Sequence, residues 1–376
     1  ARVSTRTQTR VLNPATGFLS SNEPVLHFGL GEAAIIDEIT IAWPSGTEQI
    51  LTGIEANTHL LIAEPNQSVT RRGLPAEPMF ALRNDLTLAK HTETAFDDFA
   101  VQPLLPNKLS QLGPGIAVAD INGDEQDDFV IGSARGEKPH AHFRDNNRVL
   151  WGYLKIAETE MLSEDMAPLL FDADGDGDLD WYVVSGSVEH GEDEARLRDR
   201  LYIQSDPGQF KKAGFALPDR HHSGGGAAVA DMDRDGDLDL IVTGRVVPGQ
   251  YPLSPGSVLL RNDAEGPNRP KFTDVTEAQA PALRTIEMAT NALWSDVNGD
   301  GWIDLLVTTE WGPVRVFLNR EGRLEDATAD TGLAEYRGWW NGIAGRDFDN
   351  DGDMDYVVTN FGHNTKYHPT AEFPNR

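Results

Sequence analysis

Five short acidic segments hold most of the residues in this chain whose types and spacing could do chemistry. They read Asp120-Ile-Asn-Gly-Asp-Glu-Gln-Asp-Asp128, Asp172-Ala-Asp-Gly-Asp-Gly-Asp-Leu-Asp180, Asp231-Met-Asp-Arg-Asp-Gly-Asp-Leu-Asp239, Asp296-Val-Asn-Gly-Asp-Gly-Trp-Ile-Asp304 and Asp347-Phe-Asp-Asn-Asp-Gly-Asp-Met-Asp355. Counted from the first aspartate, positions 1, 3, 5 and 9 are Asp or Asn in every copy. They are Asp120, Asn122, Asp124 and Asp128 in the first, and Asp172, Asp174, Asp176 and Asp180 in the second. The third has Asp231, Asp233, Asp235 and Asp239, the fourth Asp296, Asn298, Asp300 and Asp304, and the fifth Asp347, Asp349, Asp351 and Asp355. A tight loop with oxygens there and a backbone carbonyl at position 7 can wrap one hard cation such as Ca²⁺, which takes about six to eight oxygens. Position 7 is Gln126, Asp178, Asp237, Trp302 and Asp353. Position 6 is Gly in four loops, allowing a sharp turn, and Glu125 in the first, where mild strain is expected.

Two other readings compete. Metal-free Asx turns would explain the aspartates locally. Crowding three or four carboxylates together would then cost several kcal/mol, even at an effective dielectric near ~20. Recurrence in register five times favours a cation. An EF-hand fails because its bidentate Glu at position 12 is replaced by Ile131, Val183, Val242, Val307 and Val358, and because strand-like runs such as Leu240-Ile-Val-Thr243 flank the loops. The expectation is about five Ca²⁺ ions, one per loop. Self-contained repeated sites read as structural, since a catalytic metal needs an open position and a nearby base.

The whole chain agrees with bound cations. Its formal net charge is −28, which argues against nucleic acid and anionic lipid as partners. With 8% aromatic residues and 8 Trp it is not composed like a disordered acidic chain. It has no cysteine, which excludes disulfides, thiolate metal sites and Cys catalysis. No run of apolar residues is long enough to insert in a membrane, and residues 1–20 lack the apolar centre of a signal peptide.

The elements that must hold the loops read as strands. Loop starts lie 52, 59, 65 and 51 residues apart, a period that suits one four-stranded propeller blade. Strands entering the loops are rich in small residues (Ala117, Ala119, Ala227, Ala228, Ala230, Gly342, Ala344), as innermost strands crowded around an axis should be. Ser257–Asn262, Lys271–Thr276, Val314–Asn319 and Arg323–Thr328 supply further strands. Ahead of the repeat, Ile39, Ile41 and Trp43 alternate with Thr40 and Ala42, a half-buried strand ended by Pro44-Ser45-Gly46. Leu60-Leu61-Ile62 reads as another. The expected fold is all-β: a small β-sandwich-like domain at 1–70, a linker and lead-in at 71–110, and a partial propeller at 111–376.

The small-strand, Asp-loop, β-strand unit resembles the FG-GAP/VCBS repeat of integrin-like propellers. Leu19-Ser-Ser-Asn-Glu-Pro24, Leu26-His-Phe-Gly-Leu-Gly31 and Trp43-Pro-Ser-Gly46 resemble the ASPIC/UnbV domain. The run from His91 through Phe96-Asp-Asp-Phe99 and Gln102-Pro-Leu-Leu-Pro106 to Gly113-Pro114 is similar to that before the first blade in bacterial relatives of cartilage acidic protein. The resemblance implies a calcium-binding protein, extracellular, cell-surface or periplasmic, with about seven blades and no established chemistry. ASPIC/UnbV usually follows a propeller, whereas here it comes first. The expectation is therefore a longer precursor, or a partner that completes the ring.

Other candidates have plainer explanations. His140-x-His142 and His221-His222 lack a third ligand at fixed spacing and read as exposed loop histidines. Gly224-Gly225-Gly226 lacks the Lys-Ser/Thr of a phosphate loop and reads as entry into a crowded inner strand. Trp294 reads as core, Trp339-Trp340 as the pair most apt for an exposed contact surface, and Trp151, Trp181 and Trp311 could stack on sugars. Asn66-Gln67-Ser68 forms a glycosylation sequon. The function expected is non-catalytic binding, adhesion or scaffolding for a protein or glycan partner. A carbohydrate-active enzyme using His221, His222 and Arg245 is one alternative, and a subunit of a larger surface assembly is another.

Overall fold

The computed structural model describes residues 33–43, 47–58, 91–145, 148–153, 161–189, 194–349 and 351–362, with a few isolated positions before residue 65. The chain divides into two units, 1–84 and 85–376. In the first, β1 (Arg2–Val3), β2 (Arg6–Thr7), β3 (Ile35–Ala42) and β4 (Glu48–Glu55) form one antiparallel sheet in the order β2-β1-β3-β4. β3 covers the expected alternating strand, and Trp43 N–H donates to the Thr47 carbonyl (2.8 Å) where it turns into β4. Leu60 and Ile62 are not in a strand; the partner of β3 is Glu48–Glu55, whose Ile50, Leu51 and Ile54 the sequence reading passed over. The sequon at 66–68 and the first part of the expected linker, 71–90, lie outside the described residues.

The second unit is built of small antiparallel sheets in a propeller arrangement. Blade 1 has β5 (Ile116–Ala119), β6 (Asp128–Ile131), β7 (His140–Asp145) and β8 (Arg148–Tyr153); blade 2 has β9 (Glu164–Phe171), β10 (Asp180–Gly186), β11 (Arg200–Asp206) and β12 (Gln209–Lys212). Blade 3 has β13 (Ser223–Ala230), β14 (Asp239–Val246), β15 (Val258–Asn262) and β16 (Phe272–Asp274). Blade 4 has β17 (Met288–Ser295), β18 (Asp304–Gly312), β19 (Arg315–Arg320) and β20 (Arg323–Asp326), and a fifth repeat adds β21 (Gly338–Arg346) and β22 (Asp355–Asn360). The α-helices among the described residues, α1 (Asp98–Val101) and α2 (Thr276–Gln279), have four residues each.

Each inner strand packs on that of the next repeat, β5 on β9, β9 on β13, β13 on β17 and β17 on β21. The core therefore lies between blades. Trp181, Val183 and Tyr202 meet Val130 and Ala141 of blade 1, while Tyr182, Val184 and Leu201 on the other face meet Leu240, Val242 and Leu260 of blade 3. Ile241 and Leu259 then pack with Leu305, Val307 and Phe317 of blade 4. Alternation along a strand, one side chain to each face, lets one sheet serve two interfaces. The small residues of the inner strands are needed for approach: a Cβ on Gly224 would come within 2.2 Å of Val184 Cγ1, and one on Gly225 within 3.0 Å of the Ala289 carbonyl.

The run at 91–114 packs on the propeller end opposite the Asp loops. Leu105 and Leu109 are buried with Val188, Val246 and Met288 from blades 2, 3 and 4. Asp98 holds the run in shape, its carboxylate accepting from the Leu109 and Ser110 N–H groups (2.8 and 2.9 Å) and the Ser110 hydroxyl (2.6 Å).

Candidate metal centre

All five acidic segments join the first two strands of a repeat, and one hydrogen-bond plan shapes them. The position 1 carboxylate accepts from the position 6 N–H, at 2.7 Å for Glu125, 2.9 Å for Gly177, 3.2 Å for Gly236, 2.8 Å for Gly301 and 3.0 Å for Gly352. Position 5 accepts from position 7 in every loop. Position 6 has positive φ throughout, from +66° at Glu125 to +101° at Gly352. Position 4 does too where it is described, at Gly123, Gly175, Arg234 and Gly299. The glycines there were visible in the sequence, but their role was not singled out.

Position 9, expected as a ligand, also fastens the loop. In each loop its Oδ2 accepts from the position 2 N–H, Ile121, Ala173, Met232, Val297 or Phe348. In blades 1 to 4 its Oδ1 accepts from the third strand, at Arg144, Gln204, Asn262 and Asn319 (2.7–2.9 Å). Asp128, Asp180, Asp239 and Asp304 are fully buried. Burial pushes the Asp180 and Asp239 carboxyls up to about 7 against the pull of these amides, with repulsion from neighbouring aspartates adding to the rise. Asp128 and Asp304 are raised for the same reason.

Three carboxylate groups come close enough to hold a metal ion: Asp172, Asp174 and Asp180; Asp231, Asp233 and Asp239; and Asp347, Asp349 and Asp351, the ligand oxygens of each within 4.8 Å of one another. In the second and third loops the position 3 carboxylate has an oxygen with nothing to pair it, Oδ1 of Asp174 and of Asp233, both buried. Burial raises both carboxyls above the usual range. Such an acceptor, with further carboxylate oxygens around it, fits a hard cation. The first and fourth loops have Asn122 and Asn298 at position 3, so an amide replaces one charge. In the fourth, Asp300 already pairs with Arg320 (3.0 Å), and its carboxyl lies below the usual range, chiefly because it accepts from the Trp302 N–H.

The loops are also tied sideways. Asn262 Nδ2 donates to the Ala173 carbonyl (3.1 Å) and Asn319 Nδ2 to the Met232 carbonyl (2.8 Å), each reaching back to the preceding blade's loop. Arg234 donates to the Gly301 carbonyl and stacks on Trp302, with its Cζ 4.0 Å from the ring centroid. These partners lie 67 to 89 residues apart in sequence and were not foreseen.

Several other candidates move. His140 and His142 are buried in β7, not exposed in a loop; His142 stacks on Phe129, its cross-strand neighbour, with ring centroids 4.4 Å apart. Trp339 is 4% exposed, stacked on Phe361 and tilted against Trp311, so Trp339-Trp340 is not an exposed aromatic pair. Trp181 is wholly buried, and Trp294 packs on the core between blades 3 and 4. His221 pairs with Asp219 (2.9 Å), while Arg245 pairs with Glu310, so these two belong to separate networks.

The chain carries an ASPIC/UnbV domain followed by FG-GAP-like repeats: residues 1–69 match the ASPIC and UnbV family model, and residues 172–242 and 296–358 match the FG-GAP-like repeat model. Among solved structures, the Bacillus licheniformis rhamnogalacturonan lyase PL11 is similar over 67% of this chain and 47% of its own, at 14% identity and TM-score 0.38. The V. cholerae biofilm matrix protein Bap1 is similar over 65% of this chain and 34% of its own, at 17% identity and TM-score 0.33. The chain thus spans less than half the length of either. No curated protein matches it. No helix among the described residues is long and apolar enough to cross a membrane.

Proposed function

We propose that this chain is a non-catalytic propeller module, stiffened by calcium, that works outside the cytoplasm as a binding or scaffold platform for a protein or glycan partner. The observation that carries the calcium reading is the pair of buried, unpartnered oxygens of Asp174 and Asp233 inside their carboxylate triads. Bound calcium would supply two positive charges per loop and a hard centre for the oxygens at positions 1, 3, 5 and 9 and the carbonyl at 7. Five ions would offset about 10 of the negative charges that oppose compactness. The chain's own part is to hold those oxygens: position 1 and position 5 fold the loop, and position 9 fastens it to the third strand.

A rigid rim of loops suits display to a partner, and self-contained loops repeated from blade to blade favour structure over catalysis. Membership of a larger surface assembly is compatible with the same role. The test is elemental analysis of the purified chain after dialysis against calcium, beside an Asp172→Asn/Asp174→Asn variant. Calcium in the parent and less in the variant is expected. A metal-free parent overturns the reading. A glycan array and a screen for glycan turnover then separate binding from catalysis, and released products would favour an enzyme.

A further inference from the structure

At the propeller end opposite the Asp loops, a second set of carboxylates is drawn together from separate stretches of chain. Glu164 opens β9 and pairs with Gly186, the far end of the hairpin from loop 172–180. Glu189 follows β10, Glu93 lies in the run ahead of blade 1, and Arg135 stands in the turn after β6. Backbone contacts join these stretches: Thr94 Oγ1 donates to the Arg135 carbonyl (2.8 Å) and Asp165 N–H to the Ser133 carbonyl (3.0 Å).

Glu164 is 1% exposed and Glu189 7%. Oε2 of Glu164, both oxygens of Glu189 and Oε2 of Glu93 have no hydrogen-bond partner. Arg135 Nη1 stands 4.0 Å from Glu189 Oε2, and His91 Nε2 lies 2.5 Å from the other oxygen of Glu93. Three carboxylates against one guanidinium leave about two negative charges uncompensated, or about one where His91 is protonated beside Glu93, in surroundings where an unpaired buried charge is costly.

Protonation answers only part of this. Burial, with repulsion from Glu93 and Glu189 behind it, pushes the Glu164 carboxyl up to about 8. One added proton serves at most one of the three bare oxygens on Glu93 and Glu189, so at least two stay without a donor. A divalent cation that reaches them directly or through its own water would serve them together.

We propose that Glu93, Glu164 and Glu189 form a divalent-cation site, separate from the Asp loops, that fastens the run at 91–114 to blade 2. The three carboxylates are not spaced like the loop triads, whose ligand oxygens lie within 4.8 Å. The ion therefore keeps part of its water shell, as Mg²⁺ and Ca²⁺ commonly do.

The test uses the whole chain, stripped with chelator and then dialysed against calcium chloride or magnesium chloride. Bound metal is counted in the parent, in Glu164→Gln/Glu189→Gln, and in Asp172→Asn/Asp174→Asn. The expected result is one ion fewer in the glutamine variant, with its sheet spectrum intact and the loop ions retained. An unchanged count in that folded variant, with both metals, overturns the proposal. The aspartate variant reports the loops alone, so failure of either site is seen separately. If the glutamine variant does not fold, crystals of the parent soaked in manganese chloride decide. An anomalous peak beside Glu164 and Glu189 supports the site, and peaks confined to the Asp loops overturn it.

Discussion

Glu125 holds φ at +66° where the other four loops have glycine at position 6. A left-handed non-glycine residue costs about 1–2 kcal/mol, and glycine returns about 0.5–1 kcal/mol of that through the unfolded chain's freedom. Glu125→Gly should therefore stabilise the propeller by about 0.5–1 kcal/mol, read as a rise in the urea midpoint with unchanged slope. His142 gives a pH prediction. Burial, with the neighbouring His140 next, lowers its pKa below 6.5 in the folded chain, so the unfolded chain binds the extra proton first. Its contribution is complete above pH 6.5 and is lost as pH falls through the window below that value. His142→Phe keeps an aromatic ring against Phe129 and removes the titration. The difference in urea midpoint between parent and variant should shift in the variant's favour from pH 7.5 to pH 5.5; a constant difference would count against a neutral buried imidazole.

At the scale of the element, the third strand of a blade does more than extend its sheet. Asn319 N–H donates to Asp304 of its own loop, its Nδ2 reaches the Met232 and Ile303 carbonyls, and its Oδ1 accepts from the Gly322 N–H. The residue is fully buried, so Asn319→Ala leaves partners on both sides unsatisfied. A loss of about 2–3 kcal/mol is expected, checked by chemical denaturation. A change within a few tenths would show that the staple between blades 3 and 4 is idle. The Asn that ends Ser257–Asn262 and Val314–Asn319 was visible in the sequence as a recurring letter. Its second hydrogen bond was not, because the acceptor belongs to the previous blade.

For the whole molecule, cation binding should govern stability. An ion that binds only the folded chain adds about 2.7 kcal/mol at a hundredfold excess over its Kd. Two occupied triads would then move the melting midpoint by on the order of 10 °C. A chelator should lower the midpoint by that much, and excess calcium should restore it; coincident melts would exclude the loops as stabilising metal sites. The loops should not fill alike. The second and third have a carboxylate at position 3 with a free oxygen, whereas Asn122, Asn298 and the Asp300–Arg320 pair weaken the negative field of the first and fourth. A calcium titration should resolve at least two classes of site, the tighter one lost in Asp174→Asn/Asp233→Asn.

The sequence alone determined the blade period, the strands on either side of each acidic loop, and the turn at position 6. All three depend on contacts within a few residues, so spacing and residue type were enough to show them. The tertiary structure decided the rest. It buried His142 against Phe129 and Trp339 against Trp311 and Phe361, turned position 9 into a clasp on the third strand, and gathered Glu93, Glu164 and Glu189 at the opposite end. Each of these unites residues from different strands or separate segments. A linear pattern does not say which strands become neighbours across a blade interface, and burial and charge pairing follow only once the blades have packed.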